Sequence, residues 1–460
     1  MTSGWTVDDW LAAYRSGSTP SELLLPLLDK LSLSDVTWIS LVDRAHLEQQ
    51  IKTLEDRQYA TNDEKLLPLF GVPFAVKDNI DVAHLSTTAA CPAFAYTPTT
   101  NAFVVEQLTL GGAIVIGKTN LDQFATGLVG VRSPYGAVPN AFNVEYISGG
   151  SSSGSASVVA RGIVPFSLGT DTAGSGRVPA GLNNIVGLKP TKGALSGTGL
   201  VKACRTLDCI SVFATTVADA SAVFEICRGF DAADGFSRSK PASVVSSDLP
   251  ARPCFGIPAV AEFYGDEQSA NAYEDALKQI EASGAVLKRI DFTLFDQVAA
   301  LLYNGPWVAE RYAAIEKFAV SNAEDMHPVV REIIFQAKKY SAADTFNAFY
   351  QLADLKRMAD QIMADVNGLL VPTAPCHFKI TQVEADPIRL NSQLGKYTNF
   401  VNLLDWCALA VPMGFRADGL PFGLTLIAPA WHDEQLAQYG RRLQEQLALT
   451  RGATGRPFLR

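Results

Sequence analysis

The sequence predicts an α/β fold in which helices cover one large sheet, and three observations carry that prediction. Short apolar runs bounded by glycine or proline alternate with stretches of helical period over much of the chain. Hydrophobic residues make up 48% of the 460 residues and charged residues 18%, enough apolar material for a large core. Strand-like runs also return near the C-terminus, as they would if one sheet were completed from both ends of the chain.

Each element has its own signal. Thr19-Pro20-Ser21-Glu22 supplies an N-cap, a proline for the first helical position and a capping-box glutamate ahead of LLLPLL, so a helix starts there. Val36 to Val42 is short and apolar enough for a strand, and Arg44 to Ala60 has helical period with its charges on one side. NAFVVEQLTL reads as a helix stopped by Gly111 and Gly112, AIVIGK as a buried strand, SASVVARG as a helix of small residues and IVPFSLG as another strand.

Residues 65 to 215 are richest in Gly, Ser and Thr and form the expected catalytic core. From 268 to 366 the period turns helical, with charges opposite apolar stripes, and these helices are expected to cover a pocket. GLLVPTAP, ALAVPMGF and FGLTLIAP then complete the sheet over 367 to 430. With no internal repeat and no interdomain linker, the chain 1–460 is expected to be a single domain.

Composition excludes several functions. The 38 basic and 47 acidic residues leave a net charge of −9 and are interspersed, with no basic run to follow a phosphate backbone. Nucleic acid is therefore not an expected partner. The N-terminus lacks the basic start and apolar run of a signal peptide, and no apolar stretch reaches the ~18 to 20 residues that span a bilayer. A cytoplasmic protein with no membrane partner is expected. Seven scattered cysteines without CxxC spacing read as buried thiols, and five histidines show no paired-ligand spacing, so no metal and no cofactor are expected.

Three segments carry chemistry: GVPFAVKDN with Lys77, GGSSSGSA with Ser151, and GTDTAGSGR with Ser175, 24 residues beyond Ser151. Together they read as a hydrolase's base, relay and nucleophile, because a serine hydroxyl needs a neighbouring base and a cage of donors for the oxyanion it creates. Lys77 accepts a proton only when neutral, whereas a free lysine has a pKa of about 10.4. The apolar run Val72 to Val76 before it is consistent with desolvation favouring the neutral amine. The competing reading of Lys77 is an exposed lysine at a strand end.

A second pattern overlaps the serine loop. Gly150 to Gly154 satisfies G-x-S-x-G, which makes Ser152 the nucleophile and needs a later Asp and His, with His432 best placed. Yet that elbow should follow an apolar strand directly, whereas NAFNVEYISGG precedes this one, and Lys77 and GTDTAGS go unexplained.

These three segments, with IVGLKPTKG and the C-terminal ALAVP and GLPFGLTLI, resemble the amidase signature family over nearly the whole chain. The resemblance implies its fold, a large mixed sheet covered by helices on both faces. It also implies a Ser-cisSer-Lys triad: Ser175 as nucleophile, Ser151 as relay after a cis Gly150–Ser151 bond, and Lys77 as base. The backbone N–H groups of Thr172, Ala173, Gly174 and Ser175 are then the expected oxyanion hole. Asp171 and Arg177 read as a loop brace, although Arg177 is close enough in sequence to meet an anionic substrate.

LLYNGPWVAERYAAIEKF, GKTNLDQFATGL and NLLDWCALAVP resemble the allophanate-hydrolysing branch of that family, which serves urea degradation. By that resemblance Tyr303 and Arg311 bind the substrate and Gly127 lets backbone approach it. The implied reaction is hydrolysis of allophanate, urea-1-carboxylate, to ammonia and N-carboxycarbamate, which then yields carbon dioxide. A guanidinium suits such a small planar anion because it can hold a carboxylate through two parallel hydrogen bonds.

Tyr303 and Arg311 are eight residues apart, about two helical turns, with Gly305-Pro306 breaking the first. The competing reading pairs Arg311 with a glutamate, but Glu310 and Glu316 miss the favourable i+3 and i+4 spacing. The alternative functions are a glutaminase-type component of an amidotransferase, which shares the triad motifs, and an amidase of another small amide. The resemblance further implies a homodimer, and relatives of this branch commonly carry a C-terminal domain that is expected to be lacking here.

Overall fold

Among the residues described by the computed structural model, 2–61, 67–244 and 249–457, eleven strands join in one mixed sheet. They are β1 (Trp38–Leu41), β2 (Pro73–Lys77), β3 (Ile114–Thr119), β4 (Phe166–Asp171), β5 (Val186–Lys189), β6 (Cys209–Ala214), β7 (Cys254–Pro258), β8 (Val286–Ile290), β9 (Gly368–Pro372), β10 (Trp406–Phe415) and β11 (Pro421–Pro429). Their order is β1-β3-β2-β4-β6-β5-β10-β11-β9-β7-β8. The sheet is completed by C-terminal strands inserted beside N-terminal ones.

The inner strands β2 to β6 and β9 are buried along their whole length, so they carry no alternating pattern of wet and dry residues. Both faces are covered. Leu370, Leu409 and Leu426 pack into one apolar cluster with the N-terminal helices. Their neighbours Leu369, Ala408 and Ile427 pack into a second with Phe295, Phe400 and Trp406. Successive residues of a strand point to opposite faces, so this division places a core on each side of the sheet.

The sequence signals are realised closely at several elements. Thr19 caps the helix Pro20–Leu28 with a reciprocal Glu22 capping box, and the helix Phe103–Leu110 ends at Gly111. One expectation needs correction: the 268–366 stretch is not wholly helical, because β8 lies inside it. Its residues Val286, Lys288 and Arg289 are exposed, as suits a charged edge strand, and they give no apolar run to read. Strands β5, β6 and β7 and the helix Asp433–Leu447 also escaped the sequence reading.

The site follows from the topology. Strand β2 lies between β3 and β4 and pairs with both in parallel, so the three C-terminal ends emerge at one edge. Lys77 ends β2, the 120–127 loop follows β3, and the GTDTAGS loop follows β4. Ligand crevices in α/β sheets form outside such carboxyl ends.

Candidate active site

Lys77 is fully buried, 0% exposed, at the end of β2. Its Nζ lies 2.8 Å from Ser151 Oγ, 2.9 Å from Ser152 Oγ and 2.6 Å from Thr170 Oγ1. An ammonium donates to all three oxygens, whereas the neutral amine has a lone pair to receive a hydroxyl proton. Burial brings its pKa down to about 7, against an opposing pull from Asp122, Asp171 and Asp208. A substantial neutral fraction is thus present near neutrality.

The hydroxyls around Lys77 are not equivalent. Ser152 Oγ donates to the Thr170 carbonyl at 3.1 Å and accepts the Thr170 N–H at 3.2 Å, so its one proton is committed to backbone. His432 bonds the Ala430 carbonyl through Nδ1 and forms no hydrogen bond with either serine. The elbow reading therefore lacks both a free Ser152 hydroxyl and a nearby histidine. Ser151 has Lys77 as its one side-chain partner among the described residues, and the peptide bond before it is cis.

Ser175 is 2% exposed and donates to the Gly127 carbonyl at 3.4 Å. The expected contact between Ser175 and Ser151 is not formed as a hydrogen bond in this structure. The Ser175 hydroxyl is a single rotor whose partner is the Gly127 carbonyl, and hydrogen bonds of this kind often tighten only around a substrate.

Asp171 organises the loop that carries Ser175. It accepts the N–H groups of Gly174 at 2.9 Å and Gly176 at 3.0 Å, and pairs with Arg177 at 2.9 Å with both side chains fully buried. Burial alone would raise its pKa, but the Arg177 guanidinium holds it below the usual carboxylate range. One expectation changes here. The Gly174 N–H is already spent on Asp171, leaving those of Thr172, Ala173 and Ser175 as the candidate oxyanion donors. Arg177 bonds Asp171, the Thr398 carbonyl and Asn402 Oδ1, so in this structure it braces the loop. Gly174 sits at φ +134°, and a Cβ there would collide with Thr398 Oγ1.

The second half of the site comes from the helical region. Tyr303 ends the helix Thr293–Tyr303, and Arg311 lies in the separate helix Trp307–Ser321, so the break at Gly305-Pro306 places them on two helices. They still meet: Arg311 Nη2 donates to Tyr303 Oη at 3.3 Å, and the guanidinium lies 5.3 Å from the phenol ring centroid. Arg311 is 2% exposed, and its Nη1 donates to Thr126 Oγ1 at 3.2 Å and the Ala125 carbonyl at 3.4 Å. It pairs with no carboxylate among the described residues.

Glu310 turns the other way, onto Thr206 N and Oγ1, both at 2.7 Å. Arg311 therefore presents a desolvated cation beside Gly127, whose carbonyl touches Ser175. A side chain at 127 would lie 2.6 Å from Asp122 Oδ2, so only glycine fits.

The arrangement holds a lowered-pKa amine, two serine hydroxyls, candidate backbone donors and a buried cation in one region. Sequence reasoning missed Thr170, Thr126 and Asp122. Thr170 had a faint signal in its place two residues before Thr172 in GTDTAGS, whereas Asp122 and Thr126 act through contacts that no local pattern announces.

Comparison with known proteins agrees with this geometry. The amidase family model matches residues 22–437. The chain is 48% identical to the urea amidolyase of Saccharomyces cerevisiae over 452 residues, covering 96% of this chain and 24% of that protein. It thus spans about a quarter of that relative's length. The structure of Kluyveromyces lactis allophanate hydrolase superposes with a TM-score of 0.96 at 45% identity, covering 100% of this chain and 76% of that one. A glutamyl-tRNA(Gln) amidotransferase component from Picosynechococcus is 34% identical over 413 residues, 83% of this chain and 85% of that protein. On a family match that runs through Lys77, both serine loops and Arg311, the chain belongs to the amidase family.

Proposed function

We propose that this protein hydrolyses allophanate through a Ser175 acyl-enzyme. The observation that carries the substrate is the buried Arg311–Tyr303 pair beside Gly127, a cation with no carboxylate partner of its own among the described residues and placed next to the nucleophile's loop. Likeness to a urea amidolyase and an allophanate hydrolase supports the same reading.

In this reading the substrate carboxylate lies on the Arg311 guanidinium and the Tyr303 phenol, and the terminal carbamoyl carbon faces Ser175. Neutral Lys77 takes the Ser151 proton while Ser151 takes that of Ser175, and Oγ attacks the carbonyl. The N–H groups of Thr172, Ala173 and Ser175 are the donors for the oxyanion. Collapse breaks the C–N bond, and the relayed proton leaves with ammonia. Water then adds to the acyl carbon through the same relay, releasing N-carboxycarbamate and restoring Ser175. Loss of carbon dioxide from that product follows.

Ammonia release from allophanate and from glutamine, measured side by side, tests the proposal. Turnover of allophanate with little or none of glutamine is expected, and the reverse would establish the amidotransferase-type alternative. A homodimer belongs to the same proposal, and sedimentation of the purified protein checks it.

A further inference from the structure

Behind the relay lies a carboxylate that no sequence motif singled out. Asp122 is fully buried in the loop after β3. Its Oδ2 accepts the N–H groups of Val129 at 3.1 Å and Gly130 at 3.0 Å, and its Oδ1 accepts that of Arg132 at 3.0 Å. Its own N–H donates to the Ser151 carbonyl at 3.1 Å. Gly150 approaches so closely that a Cβ there would collide with Asp122 Oδ2. One side chain thus touches both the loop after Gly127 and the segment that carries the relay serine.

The charges around Lys77 make that contact more than mechanical. Asp122, Asp171 and Asp208 favour its ammonium form and Arg311 opposes it. Asp171 is neutralised locally by Arg177, and Asp208 is tied to Thr172 Oγ1 and the N–H groups of Ala203 and Cys204. Asp122 is held only by N–H dipoles, makes no ion pair among the described residues, and faces Arg132 across Gly127 with His327 beyond.

We propose that Asp122 is a positioning residue of the proton relay: its carboxylate holds the Val129–Arg132 backbone and packs against Gly150, its N–H holds the Ser151 carbonyl, and its charge is one of the negative charges near Lys77. This rests on the relay reading of Lys77, Ser151 and Ser175. Asp122 touches neither substrate nor reacting atoms, and it acts by holding Ser151 in place and by favouring the proton on Lys77 between steps.

The test is the acidic limb of kcat/KM for ammonia release. Asp122→Asn keeps the side-chain volume and two of the three acceptor contacts but discards the charge. The limb is expected to move to lower pH by about one unit, because the ammonium form loses a favourable neighbour. Asp122→Glu retains the charge and is expected to keep the limb in place while lowering kcat. A limb that stays put in Asp122→Asn overturns the proposal and leaves Asp122 a purely structural residue.

Arg132→Gln supplies the opposite sign. Loss of the cation facing Asp122 leaves its charge less offset, so the limb is expected to move to higher pH. If Asp122→Asn does not fold, this variant decides, and an unmoved limb overturns the proposal. Failure of the underlying relay is a separate result, seen as full activity in Ser175→Ala or Lys77→Ala.

Discussion

The corner that holds Lys77 and the corner that holds Arg311 are built on different principles. Lys77, Thr170 and the Ser175 loop sit on or just after two neighbouring parallel strands, and Ser151 precedes the helix Ser153–Ala160. Their geometry follows from the sheet. Arg311 and Tyr303 sit on two helices joined by a break, and reach the same place only because Thr126 and the Ala125 carbonyl receive the guanidinium. The comparison teaches that Lys77 and the serine loops are anchored in the core, while the proposed substrate contacts rest on a cover docked from nearly two hundred residues beyond Thr126. Substitutions in the first corner should therefore abolish turnover on every amide, and substitutions in the second should change which amide is turned over.

The largest expected effect breaks the first corner. Ser175→Ala should lower kcat on all amides by about 10⁴-fold or more with the fold intact, checked by steady-state ammonia release and by circular dichroism. Undiminished turnover would remove Ser175 from the mechanism. Arg311→Ala sharpens the contrast. It should cost about 10²-fold in kcat/KM on allophanate and far less on a neutral amide such as malonamide, because only the anion loses charge-assisted hydrogen bonds. Equal losses on both would make Arg311 part of the scaffold.

The pH profile addresses the first corner again. With Lys77 at about 7, kcat/KM should fall tenfold per unit as pH drops below that value and level off above it. A limb near 4 would point to a carboxylate base.

Lys77 also leaves a mark on stability. Its folded pKa of about 7 lies below the unfolded value of about 10.4, so the unfolded state binds more protons between the two and stability rises with pH across that window. Below about 7 the full cost of burying the charge is present. Lys77→Met should therefore melt higher than the parent at pH 6, a gap of a few degrees that closes towards pH 10, as thermal scans at both values would show. His432→Ala carries the smallest expectation, a change in kcat of less than about twofold, since the hydrogen bond its ring forms is to the Ala430 carbonyl and not to a serine of the site.

The same division explains what was legible in the sequence. Ser151 and Ser175 could be found because each lies in a glycine-rich loop, and Lys77 because it ends a short apolar run. Edge strand β8 was not legible because solvent-facing Lys288 and Arg289 erase the apolar pattern. Arg177 was readable as a brace of its own loop, but its contact with Asn402 was not, since that bond joins residues 225 apart. The loss of Gly174 from the oxyanion donors turns on a single side-chain rotamer of Asp171, which composition does not encode.

Burial of the central strands on both faces has a consequence for assembly. A strand with one wet face cannot slip by a residue without drowning its apolar side, but β9, β10 and β11 would merely exchange one oily surface for another. Hydrophobicity alone cannot count residues here. Buried polar groups act as notches that do: Thr373 and Thr425 join hydroxyls at 2.9 Å beside β9 and β11, and Lys189 Nζ spans from β5 to the Trp406 carbonyl of β10 at 2.6 Å. A misaligned strand would strand these groups in oil, so the few polar residues of the interior proofread the alignment on which the distance from Lys77 to Ser175 depends.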